Sequence, residues 1–184
     1  MRQNKNPMAT RTLAYCAMLT ALSVALARLV GLMPEESSRF SIEAVPIFIS
    51  GMLFGPLAGG LVGFAADFVG CLFSPYGFNP IFSVPPILYG LFGGLFQSYL
   101  GKKVSIPRLL LGFLAPVVLG SVLYQSAALA FVYYSSTFAE GLILKLSTRS
   151  VQFTITMALD VLLVFFIFKA GIFERLGVWP PKKK

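Results

Sequence analysis

The sequence predicts an all-α integral membrane protein with six transmembrane helices and with both termini in the cytoplasm. Three observations support this fold class. Of the 184 residues, 57% are hydrophobic and only 12% are charged, and the mean hydropathy is +0.80. The apolar residues form long runs separated by short polar segments, and basic residues are concentrated in alternate polar segments. A soluble domain carries about twice this charge, so lipid is the expected solvent.

The polar segments and the proline and glycine residues divide the chain into its spans. The first apolar run is too long for the core of a secretory signal, and we interpret it as a membrane span. Gly55-Pro56 divides the next run, because proline removes an amide donor and disfavours helix at the preceding residue. A turn-rich loop at 74–80 precedes the fourth span, and the polar stretch 135–147 is predicted to be a loop. We place one membrane domain at 1–184, with spans at 12–33, 42–54, 57–73, 81–100, 108–134 and 148–169.

The orientation follows from the basic residues. The segments 1–11, 101–108 and 169–184 contain three, three and five of the fifteen lysines and arginines. The positive-inside rule places these segments, and therefore both termini, in the cytoplasm. The net charge of +8 is explained by this topology and by anionic lipid, so we predict no nucleic-acid partner.

The composition also argues against catalysis by this chain. The sequence contains no histidine, which excludes Ser-His and Cys-His nucleophiles and histidine-ligated zinc. Cys16 and Cys71 lie in apolar runs and are interpreted as small hydrophobic residues. The segment 94–102 lacks the spacing of a phosphate-binding loop. We therefore predict that the chain is not an enzyme and has no cofactor and no metal site.

Polar and aromatic side chains cluster by depth on the predicted external side. Polar groups at membrane depth are costly and usually functional. Arginines bind carboxylates in bidentate fashion, and aromatic rings stack on flat heterocycles. These side chains are candidates for a cup that binds an anionic, planar ligand. The candidates are Arg28, Arg39, Asp67, Tyr76, Phe78, Asn79, Phe82, Arg149 and Gln152.

Structural explanations of the same residues stay open. Arg28 and Arg149 can extend to the lipid headgroups, and Asp67 can pair with either of them. The loop aromatics can be interface anchors. Asp160 lies in the inner half of its span, where packing or contact with a partner is a more natural role than ligand binding.

Small residues recur at helical spacing in two spans. Ala17, Ala21 and Ala25 follow one face of the first span, and a glycine ladder runs through the third. Such ladders allow helices to approach closely in lipid. We interpret the glycines as packing within the bundle. The alanines are candidates for a flat surface that contacts another membrane subunit.

The stretch 45–70, VPIFISGMLFGPLAGGLVGFAADFVG, resembles the second and third helices of S components. These are the substrate-binding membrane subunits of energy-coupling factor (ECF) vitamin transporters. The pattern from Phe54 to Asp67 is shared by several S-component branches. The longer sequence segment that also includes GFNPIF at 77–82 is most similar to the folate-specific branch.

The resemblance implies a folate-binding subunit in the bacterial plasma membrane. Such a subunit captures its vitamin outside the cell and delivers it through a coupling membrane subunit driven by two ATPase subunits. The family's Ala-x-x-x-Ala contact falls on Ala17 and Ala21, although Ala21 and Ala25 also fit. The carboxylates of folate would favour Arg28, Arg39 or Arg149, and its pterin ring would suit Asp67. Three alternatives stay open: an S component for another ligand, such as a queuosine precursor or pantothenate, a structural membrane protein, and a membrane enzyme.

Overall fold

The computed structural model describes residues 7–31, 42–73, 77–101, 104–134 and 137–179. Every regular element in these ranges is helical, which confirms the predicted all-α class. The elements are α1 (Pro7–Gly31), α2 (Ala44–Phe54), α3 (Pro56–Leu72), a 3-10 turn (Pro80–Ser83), α4 (Val84–Leu95), α5 (Gln97–Leu100), α6 (Ile106–Pro116), a π-helical segment (Val117–Tyr124), α7 (Gln125–Tyr133), α8 (Phe138–Lys169) and α9 (Ile172–Arg175).

Six apolar helical segments are present among the described residues. Three are long and apolar enough to cross a bilayer, at Thr10–Arg28, Ile106–Tyr133 and Phe138–Lys169. Three are shorter, at Ala44–Phe54, Pro56–Leu72 and Pro80–Leu95. At 1.5 Å per residue, α2 spans only about 16 Å, roughly half the hydrocarbon thickness.

Helix α2 is the centre of the bundle. Every residue from Ala44 to Leu53 is buried, and the helix packs against α1, α3, α4 and α8. Phe48 stacks on Phe113 of α6, with ring centroids 3.9 Å apart. A helix that is apolar on all sides belongs in an interior, and α2 fits that description.

Glycines bring α2, α3 and α4 into direct backbone contact. A Cβ atom added to Gly59 of α3 would collide with the backbone of Gly90 in α4, and one added to Gly90 would collide with Gly59. Gly51 of α2 meets the backbone of α4 in the same way. Gly55, with φ of +96°, joins α2 to α3 in a conformation that side chains rarely adopt. The glycines therefore serve helix packing.

Helix α8 differs from the sequence prediction. The stretch 135–147 was expected to be a loop, but α8 begins at Phe138, ten residues before the predicted start of the sixth span at 148. Its hydroxyl side chains donate hydrogen bonds to carbonyl groups of the preceding turn, as Thr148 does to Leu144 at 2.9 Å. Hydroxyl groups satisfied in this way are compatible with a helix interior. The 32 residues span about 48 Å, more than the hydrocarbon core requires.

Candidate functional site

A polar cavity of about 800 Å³ lies inside the bundle. Its walls come from α2, α3, the 3-10 turn, α4, the π-helical segment, α7 and α8. Small-molecule sites are usually concave, largely apolar and equipped with a few convergent polar groups. The volume fits that description, and the lining supplies more polar and charged groups than usual, so this cavity is the candidate binding site.

Two acidic residues line the cavity. Asp67 is half-buried on α3, and its carboxylate accepts a hydrogen bond from Ser83 Oγ at 2.5 Å. The 3-10 turn carries Ser83, so this bond also connects the turn to α3. Glu43 lies just before α2, and its backbone oxygen accepts a hydrogen bond from Ser23 of α1 at 2.8 Å. Both acidic residues line the cavity and favour a ligand group that donates hydrogen bonds.

The basic residues of the cavity lining come from α8. Arg149 and Lys145 lie one turn apart on α8, and both line the cavity. Arg149 Nη1 donates a hydrogen bond to the backbone oxygen of Ser121 at 3.3 Å, and its guanidinium carbon lies 5.4 Å from the ring centroid of Phe153. Lys145 Nζ lies 5.8 Å from the ring centroid of Tyr134. These cation–π contacts orient the two cations, which favour an anionic ligand group.

Neutral and aromatic side chains make up the rest of the cavity lining. Tyr89 Oη and Ser121 Oγ are 3.1 Å apart and form a buried hydrogen bond. Other lining side chains are suited to a flat molecule that also carries hydrogen-bonding groups. They include Phe82, Pro85, Pro86, Gln125, Gln152 and Phe153.

The predicted ligand-binding residues divide into three groups. Four of them line the cavity: Asp67, Phe82, Arg149 and Gln152. Three do not. Arg28 is exposed and donates to the backbone oxygen of Gly70, Phe78 packs edge-on against Phe64 and Phe68, and Asn79 caps the 3-10 turn by accepting from the Ile81 amide at 3.1 Å. Arg39 and Tyr76 lie outside the described residues.

Several lining residues were absent from the sequence prediction. Tyr89 and Ser121 lie in the middle of apolar spans, where nothing in the local pattern marks them. Lys145 was assigned to a loop that is helical in the structure, and Glu43 was counted only as a loop charge. Gln125, Tyr133, Tyr134 and Phe153 complete the set of missed polar or aromatic residues.

Asp160 has a different environment. It lies on α8, is fully buried, and neither carboxylate oxygen has a hydrogen-bond partner among the described residues. It does not line the cavity. A role in ligand contact is therefore not supported by its position. In the same described ranges, no three histidine, cysteine or acidic residues are grouped as a metal site.

The fold and the cavity together define a class: a helical membrane protein with a partly open polar cavity sized for one small molecule. Within that class, the chain belongs to the family described as ECF-type riboflavin transporter, S component, whose model matches residues 7–172. The resemblance to S components is thereby confirmed. The chain is a multi-pass protein of the bacterial plasma membrane and a transporter component.

Two relatives show further similarity. The chain is 32% identical over 98 residues to the folate transporter FolT of Clostridium novyi (strain NT), across 53% of this chain and 55% of that protein. The match thus spans about half the length of that relative. The chain is also similar to the crystal structure of FolT bound with folic acid, with 26% identity and a TM-score of 0.59. That similarity covers 80% of this chain and 91% of the other.

Proposed function

We propose that this chain is the folate-binding S component of an ECF-type importer. The observation that carries the proposal is the presence of both charge signs in one cavity, with Asp67 and Glu43 as acidic lining residues and Arg149 and Lys145 as basic ones. Folate carries groups that suit both signs, because its pterin ring offers N–H donors and its glutamate carries two carboxylates. The names of the two relatives support the same ligand.

The pterin end is proposed to lie against Asp67. A carboxylate accepts two adjacent N–H donors in a planar arrangement, and pterin presents such a pair. Ser83 already donates one hydrogen bond to this carboxylate, which fixes its orientation before the ligand arrives. Phe82, next to Ser83 in the chain, lines the same cavity and supplies a ring for stacking.

The glutamate end is proposed to lie against Arg149 and Lys145. These cations are one helical turn apart, a separation of about 5–6 Å between Cβ atoms that suits two carboxylates on one glutamate. Arg28, predicted from sequence as another carboxylate partner, lies off the cavity. We assign it no ligand contact.

Helix α1 is proposed to contact the coupling subunit. Ala17, Ala21 and Ala25 are exposed along one side of α1, next to the exposed Met18 and Leu22. A surface of small side chains allows another helix to approach closely in lipid. Delivery would then use the coupling membrane subunit and two partner ATPase subunits, with ATP hydrolysed by those subunits. The positive-inside pattern favours both termini in the cytoplasm, with the cavity opening to the outside.

A neutral vitamin is a weaker candidate for this cavity. The family description names riboflavin, and that molecule has no group to pair with two cations. Buried charges without partners weaken binding. A structural protein without a ligand is also weaker, because it gives no reason for a cavity with charges of both signs.

Isothermal titration of the purified chain with folate, riboflavin, thiamine, biotin and pantothenate tests the proposal. We expect tight binding of folate and none of the others. Tight binding of riboflavin without folate binding would refute the folate assignment while leaving the family unchanged. Absence of binding by every vitamin would support the structural alternative.

A further inference from the structure

The wall of the cavity contains a π-helical segment, Val117–Tyr124, directly after the proline at the end of α6. Proline disturbs the regular ladder of helix hydrogen bonds. The amide of Gln125 donates to the backbone oxygen of Gly120, five residues earlier, as expected for a π-helix. Such segments are rare and frequently occur at functional sites. Crossing a membrane does not require a π-helix, so this segment is a candidate for a functional role.

Ser121 lies in the middle of this segment and connects two cavity side chains. Its hydroxyl is 3.1 Å from Tyr89 Oη, and its backbone oxygen accepts a hydrogen bond from Arg149 Nη1 at 3.3 Å. Ser121 is 2% exposed and Tyr89 is 5% exposed, so neither group exchanges freely with solvent. The pair fixes the local position of the carbonyl that Arg149 contacts.

Gly120 allows this arrangement by bringing the π-helical segment against α4. A Cβ atom at Gly120 would lie 3.3 Å from Pro85 Cα and 3.2 Å from Leu88 Cδ1. These distances are tighter than ordinary packing. A larger residue would therefore require Leu88, Pro85 or the segment itself to shift.

An arginine side chain that is already oriented binds an anion with higher affinity than a mobile arginine side chain does. An arginine side chain has many rotamers, and this freedom is lost on binding unless the side chain is already oriented. Arg149 uses one N–H group on Ser121 and stacks over Phe153. Among the described residues it makes no other hydrogen bond, so its remaining N–H donors are available to a carboxylate.

We infer that Tyr89 and Ser121, held by the π-helical segment, are positioning residues that orient Arg149 toward the carboxylates of the ligand. The inference rests on the proposed function, since it takes folate as the ligand. It assigns to Tyr89 an effect on affinity that passes through Arg149 and not through direct contact with the pterin ring.

The test compares folate with its dimethyl ester, in which both carboxylates are neutral, by titration of the wild-type chain and three variants. Tyr89→Phe removes one buried hydrogen bond, and we expect folate affinity to fall by about 2- to 10-fold. The affinity for the dimethyl ester should stay within about 2-fold, as expected if only carboxylate recognition is affected. Arg149→Met should show the same selectivity with a larger loss. The double variant should bind folate no more weakly than Arg149→Met alone, because both changes act on one interaction.

Tyr124→Phe is the matched control. It removes a hydroxyl from the same π-helical segment at a side chain that does not line the cavity, and it should leave both affinities unchanged. Equal losses for folate and for the ester in Tyr89→Phe would refute the positioning role, because a structural defect or a direct pterin contact weakens both. Additive losses in the double variant would refute it as well. A wild-type chain that binds no folate would instead refute the proposed function.

Discussion

Replacement of Asp67 by asparagine tests the acidic part of the cavity lining. The carboxylate lines the cavity and already accepts one hydrogen bond from Ser83. In the proposed complex it accepts two more, from adjacent N–H donors of the pterin ring. Asparagine keeps one acceptor and turns a donor toward the other N–H group. A hydrogen bond to a charged group is worth about 1.5–3 kcal/mol, so we expect a loss of about 2–3 kcal/mol, or roughly 30- to 150-fold in Kd.

The assay is calorimetric titration of folate into the detergent-solubilised variant. Glu174→Gln is the matched control, because it makes the same chemical change on α9, away from the cavity, and should leave Kd unchanged. The two variants should unfold at temperatures close to that of the wild type. An Asp67→Asn variant that binds folate within about 2-fold of the wild type would refute the placement of the pterin ring at this carboxylate.

Three further predictions concern the helix contacts. Gly90→Ala should lower the free energy of unfolding by about 1–3 kcal/mol or more, because the added methyl group meets the backbone of α3. Gly70→Ala has open space around it and should leave that free energy unchanged. Equal thermal stability of the two variants would contradict the described packing of α3 and α4. Ala21→Trp should abolish folate uptake by cells that supply the coupling subunits, while the affinity of the chain for folate stays unchanged. Leu119→Trp, at an exposed position of the π-helical segment, should not reduce uptake. Undiminished uptake by the Ala21→Trp variant would show that α1 does not form the proposed interface. Asp160→Leu should raise the unfolding temperature measured by thermal denaturation. The change replaces a fully buried carboxylate, which has no hydrogen-bond partner among the described residues, by an apolar side chain. A lower unfolding temperature would show that the carboxylate makes a stabilising contact.

The sequence predicted those features of the fold that depend on composition or on the backbone of a single residue. Apolar runs and charge asymmetry depend on composition alone, and they indicated a helical membrane protein. Gly55 and Pro56 act on their own backbone, and the chain turns from α2 into α3 at that point. The start of α8 was mispredicted because serine, threonine and charged residues indicate a loop only when their side chains compete for the backbone. Here the hydroxyls donate to carbonyls within the helix instead.

The candidate site was only partly predictable, because depth in the membrane does not fix direction around a helix axis. Asp67 and Arg149 line the cavity, whereas Arg28, chosen by the same criterion of depth, is exposed. Which face of a helix turns inward depends on its packing with neighbours. Tyr89 and Ser121 were missed for a related reason. They meet only because Gly120 and the π-helical segment bring two distant parts of the chain together.

The structure of this chain with folate bound is the most direct measurement. We expect the pterin ring within hydrogen-bond distance of Asp67, and at least one glutamate carboxylate within hydrogen-bond distance of the Arg149 guanidinium. A ligand bound in the reverse orientation would contradict the assignment of the pterin ring to Asp67 and of the glutamate to Arg149. A ligand bound outside the cavity would contradict it as well.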